Sequence, residues 1–520
     1  MYQFIQRHAK NILGVLSGFD RLRFRGTLRH IAYAQGMKSF LDFSGVLLKD
    51  FKTYMSGTTE NVKSAVKQLA EQEERPLKYL ASSGEDKEAL ARKMLKAQPV
   101  EHGLIGVLSC VENCRSYDIH KNAETKMLEL RNVPRKCLHY YFYFNHARFG
   151  FMHARLQTWF PFDLRICLNG REWLCRELDR LEIGYRRREN CLVQVDSMKR
   201  AQRLLDRQLR TDWSGTFNDL ADLVHPLREQ IFPELWSRQY YWSLAESEWA
   251  TDVMFRSPQH LAALYPQLVK HAMSCYGARD VMKFLGRKVP TVGINGNFQG
   301  ELISDLKTRP EGMRVKHRVG ANSIKMYDKQ GSVLRVETTI NDPSDFKVYR
   351  PKEGDESGPK DWRTLRKGVA DVHRRAEVSQ AANERYLDGL AAASETTPLA
   401  DLTEPLCRRV KFGERYVRGL NPLAAEDAAL LTAVNRGEFA VNGFRNRDLQ
   451  TLLYKSSPRD AAEQKRRSGV VTRQLRMLRA HGLIKKVPKT HRYQVTESGR
   501  IAITALLYAR QADTIKLTAA

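Results

Sequence analysis

A tyrosine, a glutamate and three cationic side chains recur at every second position on either side of a short turn. Alternate residues of a β-strand lie on the same face. Lys325, Tyr327 and Lys329 therefore share one face of a predicted strand, and Arg335 and Glu337 share one face of the next. A phenol can attack a phosphodiester, cations bind phosphate, and a carboxylate can hold a metal ion. Together these groups indicate a site that cleaves nucleic acid.

The loop between the two predicted strands decides whether these faces match. A three-residue loop at 330–332 pairs Lys325 with Glu337. It also pairs Tyr327 with Arg335, whereas a two-residue loop would place the tyrosine opposite an apolar residue. The pattern therefore predicts the odd-length loop. The same alternation is also typical of an ordinary hairpin whose exposed polar face makes cross-strand pairs.

The segments SIKMYDK and LRVE resemble the I-R-x-Y-(N/D)-K … L-R-V-E pattern of plasmid rolling-circle replication initiators of the trans-acting type. In that family a tyrosine attacks a DNA phosphodiester and a strand-borne glutamate holds a divalent metal. The resemblance implies that Tyr327 is the nucleophile and Glu337 the metal ligand. It also implies that Lys329 and Arg335 contact phosphate. Lys325 is a further candidate contact, and the two lysines would favour the phenolate. The gap between the tyrosine and the RVE segment is shorter here than in the initiators.

A divalent cation, Mg²⁺ or Mn²⁺, would neutralise the scissile phosphate at such a site. One carboxylate rarely holds Mg²⁺ alone, so the fold must supply further acids. Asp20 in GFDRLRFRGTL and Glu172 in NGREW are two candidates. Glu248 and Asp252, in ESEWATDVMF, are two more, and a helix there would place both on one face. Each of the four is equally compatible with an ordinary surface or ion-paired acid.

Composition indicates a polyanionic partner. The 520 residues include 86 Lys and Arg against 59 Asp and Glu, which gives a formal net charge of +27. The excess is spread along the chain, so we expect a large surface that contacts nucleic acid, with DNA favoured over RNA. No run of eighteen apolar residues occurs, so we expect no membrane span. The eight cysteines show no Cys-x-x-Cys spacing, which argues against zinc ribbons and disulfides and favours a reducing cytoplasm.

The segment 137–168 is rich in aromatic residues and predicts two or three adjacent strands. Its aromatic residues alternate with histidine and arginine, which suits a sheet that stacks bases and binds phosphates. A sheet with one buried and one solvated face has the same alternating sequence pattern. His153, Arg155 and Gln157 share one strand face. His153 and Arg155 are therefore candidate contacts with nucleic acid.

The last part of the chain, near 425–510, resembles a winged helix-turn-helix, most clearly in LRMLRAHGLIKKVPKTHRYQVTESGR. In that kind of domain a basic helix enters the major groove and a strand-loop-strand wing contacts phosphate or the minor groove. A winged helix can also serve protein contacts. The resemblance implies base or backbone contacts for Arg466, Arg467, Thr472, Arg473 and Arg476 in the helix, and for Lys485, Lys486, Lys489, His491 and Arg492 in the wing.

The fold expected is α+β and multidomain, with an antiparallel-sheet catalytic region, helical segments and a C-terminal winged-helix domain. The predicted divisions are a mixed α/β region at 1–130, a sheet-containing catalytic region at 131–350 with a helical insertion at 170–300, a basic helical connector at 351–424 and the winged-helix domain at 425–520.

The preferred interpretation is metal-dependent DNA strand nicking or strand transfer, similar to that of a replication initiator or transposase. The alternative is a non-catalytic nucleic-acid binder, either a winged-helix regulator or an RNA-binding partner of a mobile element. The whole chain, from GFDRLRFRGTL through RLQTWFPF to LRAHGLI, also resembles a bacterial family of basic, mobile-element-type proteins. That likeness supplies no mechanism.

Overall fold

The computed structural model describes residues 1–232, 236–287, 301–310, 312–355, 357–391, 399–436, 439, 443–454, 456–488 and 490–511. Two compact units make up the chain. Unit 1 comprises Met1–Gly14, Asp252–Thr338 and Val378–Ala520, and unit 2 comprises Val15–Thr251 and Thr339–Glu377. The fold is mixed α/β, with many helices and one large mixed sheet.

The helices of the described residues are α1 Tyr2–Arg7, α2 Ala34–Phe43, α3 Phe51–Gln72, α4 Lys87–Ala97, α5 Gly170–Arg180, α6 Met198–Gln208, α7 Trp213–Val224, α8 Arg228–Ile231, α9 Pro258–Cys275, α10 Ala278–Phe284, α11 Val372–Leu390, α12 Leu399–Cys407, α13 Ala425–Val434, α14 Asn446–Leu453, α15 Ala461–Ala480 and α16 Glu497–Gln511. The strands are β1 Ile12–Thr27, β2 Leu77–Tyr79, β3 Gly103–Lys121, β4 Leu128–His146, β5 Gly150–Gln157, β6 Leu164–Asn169, β7 Tyr185–Arg188, β8 Cys191–Val195, β9 Tyr241–Phe255, β10 Leu302–Arg309, β11 Gly312–Val319, β12 Asn322–Lys329, β13 Val333–Ile340, β14 Lys347–Arg350, β15 Asp361–Thr364, β16 Val410–Phe412, β17 Arg415–Val417, β18 Ile484–Lys486 and β19 Tyr493–Val495.

Unit 2 is built on seven neighbouring strands in the order β9-β1-β6-β5-β4-β3-β2. The pairings of β1 with β6, β6 with β5, β5 with β4 and β4 with β3 are antiparallel, and β2 pairs with β3 in parallel. The aromatic segment supplies three adjacent strands of this sheet, β4, β5 and β6, as predicted.

One face of the sheet in unit 2 is apolar. Phe24, Ile166, Ala154 and Phe142 lie in register on β1, β6, β5 and β4, and all four are fully buried. The indole ring of Trp213 on α7 packs against the Phe24 ring, with 5.1 Å between centroids. Because side chains alternate along a strand, the residues on either side of this row point to the opposite face.

The expected helix around Glu248 and Asp252 is wrong, because both residues lie in the long strand β9. The predicted helical insertion at 170–300 also contains strands β7 and β8. Trp249, Thr251 and Val253 are aromatic or β-branched, and such residues fit a pleated, buried surface better than a helix. Almost all of the second half of β9 is buried, so its sequence lacks the alternation of a half-exposed strand.

In unit 1, strands β10, β11, β12 and β13 are neighbours in that order, followed by β9. β12 ends at Lys329 and β13 begins at Val333, so the hairpin loop has the predicted odd length. Gln330 and Gly331 both adopt a positive φ, of 55° and 67°. A residue in this left-handed region is what a three-residue hairpin loop requires.

The hairpin is buried on both faces, whereas its alternation predicted one exposed polar face. The Tyr265 hydroxyl of α9 lies 2.7 Å from the carbonyl oxygen of Met313 and 3.3 Å from that of Met326. The Asn383 side chain of α11 donates to the carbonyl oxygen of Val336 at 3.0 Å. Helices α9 and α11 therefore contact the hairpin backbone.

The C-terminal part of unit 1 has its own apolar core. Leu431 of α13, Leu449 of α14, Leu475 of α15 and Ile503 of α16 are all buried in it. β18 and β19 pair antiparallel between α15 and α16. In the described residues of this segment, the helices and strands named above follow the order α13, α14, α15, β18, β19 and α16. Within the described ranges, no helix is long and apolar enough to cross a membrane.

Candidate functional site

A row of arginines covers the face of unit 2 opposite the apolar one. Arg25 of β1, Arg165 of β6 and Arg155 of β5 lie in register on three adjacent strands. Arg21 and Arg23 are on the same face of β1, at two-residue intervals. We call these five residues the arginine face. The side chains of Arg23, Arg25 and Arg165 are 49%, 48% and 54% exposed, so solvent or a ligand can reach them.

A cavity of about 420 Å³ opens at one end of the arginine face. Asp163 is the sole carboxylate among its lining residues, and it accepts hydrogen bonds from both Arg25 and Arg165. Four guanidinium groups and one carboxylate among the lining residues give the lining a net positive charge, although Arg155 also pairs with Glu112 behind it. Guanidinium groups match the geometry of phosphate oxygens. The cavity is lined by Arg25, Thr27, Ala32, Asn113, Cys114, Arg115, Asn132, Arg155, Gln157, Pro161, Asp163 and Arg165.

Of the two predicted contacts on β5, Arg155 lines this cavity, whereas His153 is not among the lining residues. The Arg155 guanidinium is 3.2 Å from a carboxylate oxygen of Glu112. The His153 ring stacks at an angle on Tyr143, with 5.1 Å between centroids. Burial lowers the pKa of His153 to about 4, and neighbouring Arg23 and Arg155 add to this effect. The ring is therefore neutral at pH 7 and adds no positive charge to the face.

Two of the predicted metal-binding acids meet in unit 2. Asp20 on β1 and Glu248 on β9 are only 7% and 6% exposed, and each offers a carboxylate oxygen within 4.8 Å of the other. The Arg21 guanidinium lies 2.8 Å from Glu248, and the Asn190 amide donates to Asp20 at 2.7 Å. We call Asp20 and Glu248 the acidic pair. Arg21 belongs to the arginine face, so this contact places the acidic pair next to that face.

Two further predicted residues pair with each other in unit 1. The ammonium group of Lys325 is 2.7 Å from a carboxylate oxygen of Glu337, and both side chains are buried. This ion pair joins the two residues that the three-residue loop was predicted to place opposite each other. Glu337 lies on β13, which neighbours β9 in the sheet.

Asp252 and Arg335 form a second buried ion pair in unit 1. Nε and Nη2 of Arg335 bind the two carboxylate oxygens of Asp252 at 2.6 and 3.0 Å, and both side chains are almost completely buried. A two-point pair of this kind fixes the guanidinium against its partner. A phosphate could reach Arg335 only by displacing Asp252, so neither residue is placed as the sequence suggested.

Tyr327, the predicted nucleophile, is buried on the face of β12 that also carries Lys325. It lies opposite Arg314 on β11. The ammonium group of Lys329 is 5.7 Å from the centre of the tyrosine ring. The Arg314 guanidinium binds Asp305 of β10 at 2.7 Å, so of these two cations Lys329 is the one placed beside the phenol.

Glu172 is bound by an arginine. Both nitrogens at the end of the Arg187 side chain contact its carboxylate, at 3.1 and 2.5 Å. Burial alone would raise the pKa of Glu172, but the hydrogen bonds and charge of Arg187 hold it below its usual value. This ion pair connects helix α5 to strand β7. Glu172 is therefore an ion-paired acid, the alternative to a metal ligand.

Among the predicted C-terminal contacts, Arg466, Arg473, Arg476, Lys485, Lys486 and His491 are exposed, as is Thr472. Arg467 is instead buried, binds Glu463 at 2.7 Å and lies over the Tyr454 ring. Arg492 is partly buried, and one of its nitrogens donates to the carbonyl oxygen of Gly443 at 3.2 Å. Lys489 lies outside the described residues.

A second basic cavity, of about 550 Å³, lies beside α15. Its cationic lining residues are Arg415, Arg476 and Arg479, and Thr472 and Tyr493 also contribute. Of these, Thr472 and Arg476 were predicted contacts. Arg479 lies on the same helix, whereas Arg415 and Tyr493 reach the cavity from β17 and β19.

The sequence interpretation missed most of the arginine face. Arg21, Arg23 and Arg25 alternate with apolar residues in DRLRFRG, and this signal alone predicts three cations on one strand face. Their alignment with Arg165 depends on the pairing of β1 with β6, which no local pattern reveals.

No family model, curated protein or solved structure matches this chain. The function must therefore be argued from the side chains and their geometry.

Proposed function

We propose that this protein binds nucleic acid along the arginine face and cleaves a phosphodiester with a divalent cation held by the acidic pair. The observation that carries the proposal is the contact of Arg21 with Glu248. It puts an exposed, phosphate-binding surface next to two buried carboxylates whose oxygens lie within 4.8 Å of each other. Phosphodiester cleavage needs both kinds of group, cations for the substrate and anions for the metal.

Electrostatics favour a cation between the carboxylates of the acidic pair. Two buried anions close together repel each other; Arg21 offsets part of this charge at Glu248, and a bound divalent cation would offset more. Mg²⁺ and Mn²⁺ prefer carboxylate oxygens and commonly use one or two of them together with phosphate oxygens. When bound, such an ion would neutralise charge on the scissile phosphate.

For unit 1, the resemblance to replication initiators implies that Tyr327 is a nucleophile. Its attack on phosphorus would form a tyrosyl phosphodiester and release a 3′ or 5′ hydroxyl, so one bond to phosphorus forms as another breaks. Lys329 beside the ring would stabilise the phenolate that attacks.

The C-terminal segment would select the site of cleavage. Its order of three helices, a strand pair and a helix is compatible with the winged helix-turn-helix predicted from sequence. Asn446 of α14 donates to the Thr472 hydroxyl of α15 at 2.9 Å, which ties the two helices together. Arg466, Arg473 and Arg476 remain exposed on α15 and would face DNA.

A non-catalytic binder is the second candidate, and two contacts favour it. Lys325 neutralises Glu337, and Arg335 neutralises Asp252. If these acids serve only as partners of buried cations, the hairpin is a scaffold and the arginine face alone has a function. The experiment below separates the two candidates.

The test uses the full chain with labelled single-stranded DNA, duplex DNA and RNA, in Mg²⁺, Mn²⁺ or a chelator. We expect cleavage that needs the metal and falls roughly a hundredfold or more in Asp20→Asn and Glu248→Gln. Binding should persist in both variants, because the arginine face is intact. Glu71→Gln, an exposed acid on α3 of the same unit, is the matched control and should cleave normally.

A covalent protein–DNA adduct that disappears in Tyr327→Phe would support the tyrosine as nucleophile. Cleavage without an adduct would overturn that role and point to a water molecule. Tight binding with no cleavage of any substrate under any metal condition would overturn the proposed cleavage activity and support the non-catalytic binder.

A further inference from the structure

Two cysteines and a histidine lie together in the sheet of unit 2. The sulfur atoms of Cys114 on β3 and Cys137 on β4 are 3.0 Å apart. His139 follows two residues after Cys137 on the same strand face. Each residue offers one ligand atom, and all three atoms lie within 4.8 Å of one another. We call these residues the thiol–imidazole cluster.

Strand register, and not local spacing, creates the cluster. Cys137 lies opposite Glu112, and Cys114 lies opposite Arg135, so the cysteines are diagonal neighbours across β3 and β4. Their separation of 23 positions in the chain hides this relation from a search for paired cysteines. Diagonal neighbours on one face are close enough for their side chains to meet.

The donor set matches a soft or borderline divalent metal. Thiolate and imidazole are the ligands that Zn²⁺ prefers, and two thiolates balance its charge inside the protein. Nδ1 of His139 lies 3.1 Å from the carbonyl oxygen of Cys137. Because a carbonyl oxygen can only accept, that contact places the ring proton on Nδ1 and the lone pair on Nε2. A backbone contact of this kind orients the histidine of many metal sites.

The cluster borders the arginine-lined cavity. Cys114 lines the cavity together with Arg115 and Arg155, and it is partly exposed, whereas Cys137 and His139 are buried. Three protein ligands leave a tetrahedral zinc ion with one position for water or another small ligand. That ligand would enter from the cavity, where guanidinium groups favour an anion.

We propose that Cys114, Cys137 and His139 bind one Zn²⁺ ion, with the fourth coordination position open to the arginine-lined cavity. This site is separate from the acidic pair in its residues and in its metal chemistry. It does not depend on the cleavage reaction proposed above.

The first experiment measures metal in the full chain, purified under reducing conditions without added chelator. Elemental analysis should find about one zinc per chain. Removal of zinc and addition of Co²⁺ should give the intense thiolate-to-cobalt absorption and the visible bands of a tetrahedral site. Cys114→Ser and Cys137→Ser should each lose these bands. Cys407→Ser, an exposed cysteine of unit 1, should keep them.

Circular dichroism of each variant separates the loss of metal from the loss of fold. The wild-type chain also tests the proposal without any substitution. Folded, reduced protein that binds neither Zn²⁺ nor Co²⁺ would overturn it. A Cys114–Cys137 disulfide in wild-type protein purified under reducing conditions would also overturn it, because neither thiol could then bind a metal. Mass spectrometry would detect this disulfide as a loss of two hydrogen atoms.

Inorganic phosphate tests the open position. Added to the cobalt form, it should shift the visible bands, because an oxygen of the anion would replace the fourth ligand. Arg115→Ala should weaken this effect and leave the cobalt content unchanged. A spectrum that phosphate never alters would overturn the open position.

Discussion

At the scale of single residues, two buried ion pairs of unit 1 consist of side chains that the sequence predicted to bind metal or phosphate. Glu337 is bound by Lys325, and Asp252 is bound by Arg335. Alternation along the strands and the length of the loop predicted the first pair. No local pattern predicted the second, because it requires β9 to lie beside β13. A charge removed from water needs a partner of opposite sign, so these contacts are requirements of the fold.

Arg335→Leu should therefore destabilise the protein strongly. It leaves the Asp252 carboxylate buried without its two-point partner, which typically costs about 3–5 kcal/mol. Chemical denaturation followed by circular dichroism measures the change. Arg180→Ala removes an exposed arginine that also contacts a carboxylate, and we expect a change within about 1 kcal/mol. An Arg335→Leu variant as stable as Arg180→Ala would contradict the argument.

Asp371 gives a prediction for pH. Burial alone would raise the pKa of its carboxyl group, but hydrogen bonds from Arg366 and Arg374 hold it below the usual value. A pKa lowered by folding means that the ion pairs stabilise the protein above the unfolded pKa, near 4, and lose this effect as pH falls through the folded pKa. Wild-type stability should fall across that acidic range, and Asp371→Asn should show a smaller fall. Identical pH profiles for both proteins would rule out this role.

At the scale of helices and strands, the sequence predicted the pieces that carry a local signal. β4, β5 and β6 followed from aromatic alternation, and the hairpin loop followed from the match of its two faces. The helix predicted at Glu248 and Asp252 rests on the four-residue spacing of these acids, and the strand that forms there gives no contrary signal because its buried half lacks alternation. The arginine face and the acidic pair were beyond prediction as sets, since each joins residues from different strands.

The absence of a side chain at Gly170 allows helix α5 to pack closely against strand β1. A Cβ at this position would lie 2.1 Å from the carbonyl oxygen of Phe19, a backbone atom that cannot move cheaply. Gly170→Ala should thus destabilise the protein by about 1–3 kcal/mol, as overpacking does. It should also slow metal-dependent cleavage, because Phe19 directly precedes Asp20. Thermal unfolding and the cleavage assay measure the two effects.

Gly57→Ala is the matched control for this substitution. Gly57 lies inside α3, where an added Cβ meets nothing within 4 Å. Alanine favours a helix over glycine by roughly 0.5–1 kcal/mol, so stability should rise slightly. If Gly170→Ala behaved like Gly57→Ala, the close contact between α5 and β1 would not be a constraint.

At the scale of the whole molecule, a net charge of +27 predicts that the proposed binding of nucleic acid depends on salt concentration. Each phosphate that a cation contacts releases condensed counterions, so log affinity falls linearly with log salt concentration. The cations of unit 2 and those of the C-terminal segment should both contribute to that slope. Their contributions can be separated, because each set consists of exposed side chains that can be removed without disturbing a core.

The test compares salt slopes for a labelled DNA duplex. Removal of Arg23 and Arg25 together, and removal of Lys485 and Lys486 together, should each reduce the slope by about 1 for every phosphate that is no longer neutralised. Arg180→Ala should leave it unchanged. If the lysine variant alone reduced the slope, DNA would bind only the C-terminal segment and the arginine face would have another ligand. If neither variant changed it, both assigned surfaces would be wrong, since the positive charge that binds DNA would lie elsewhere on the molecule.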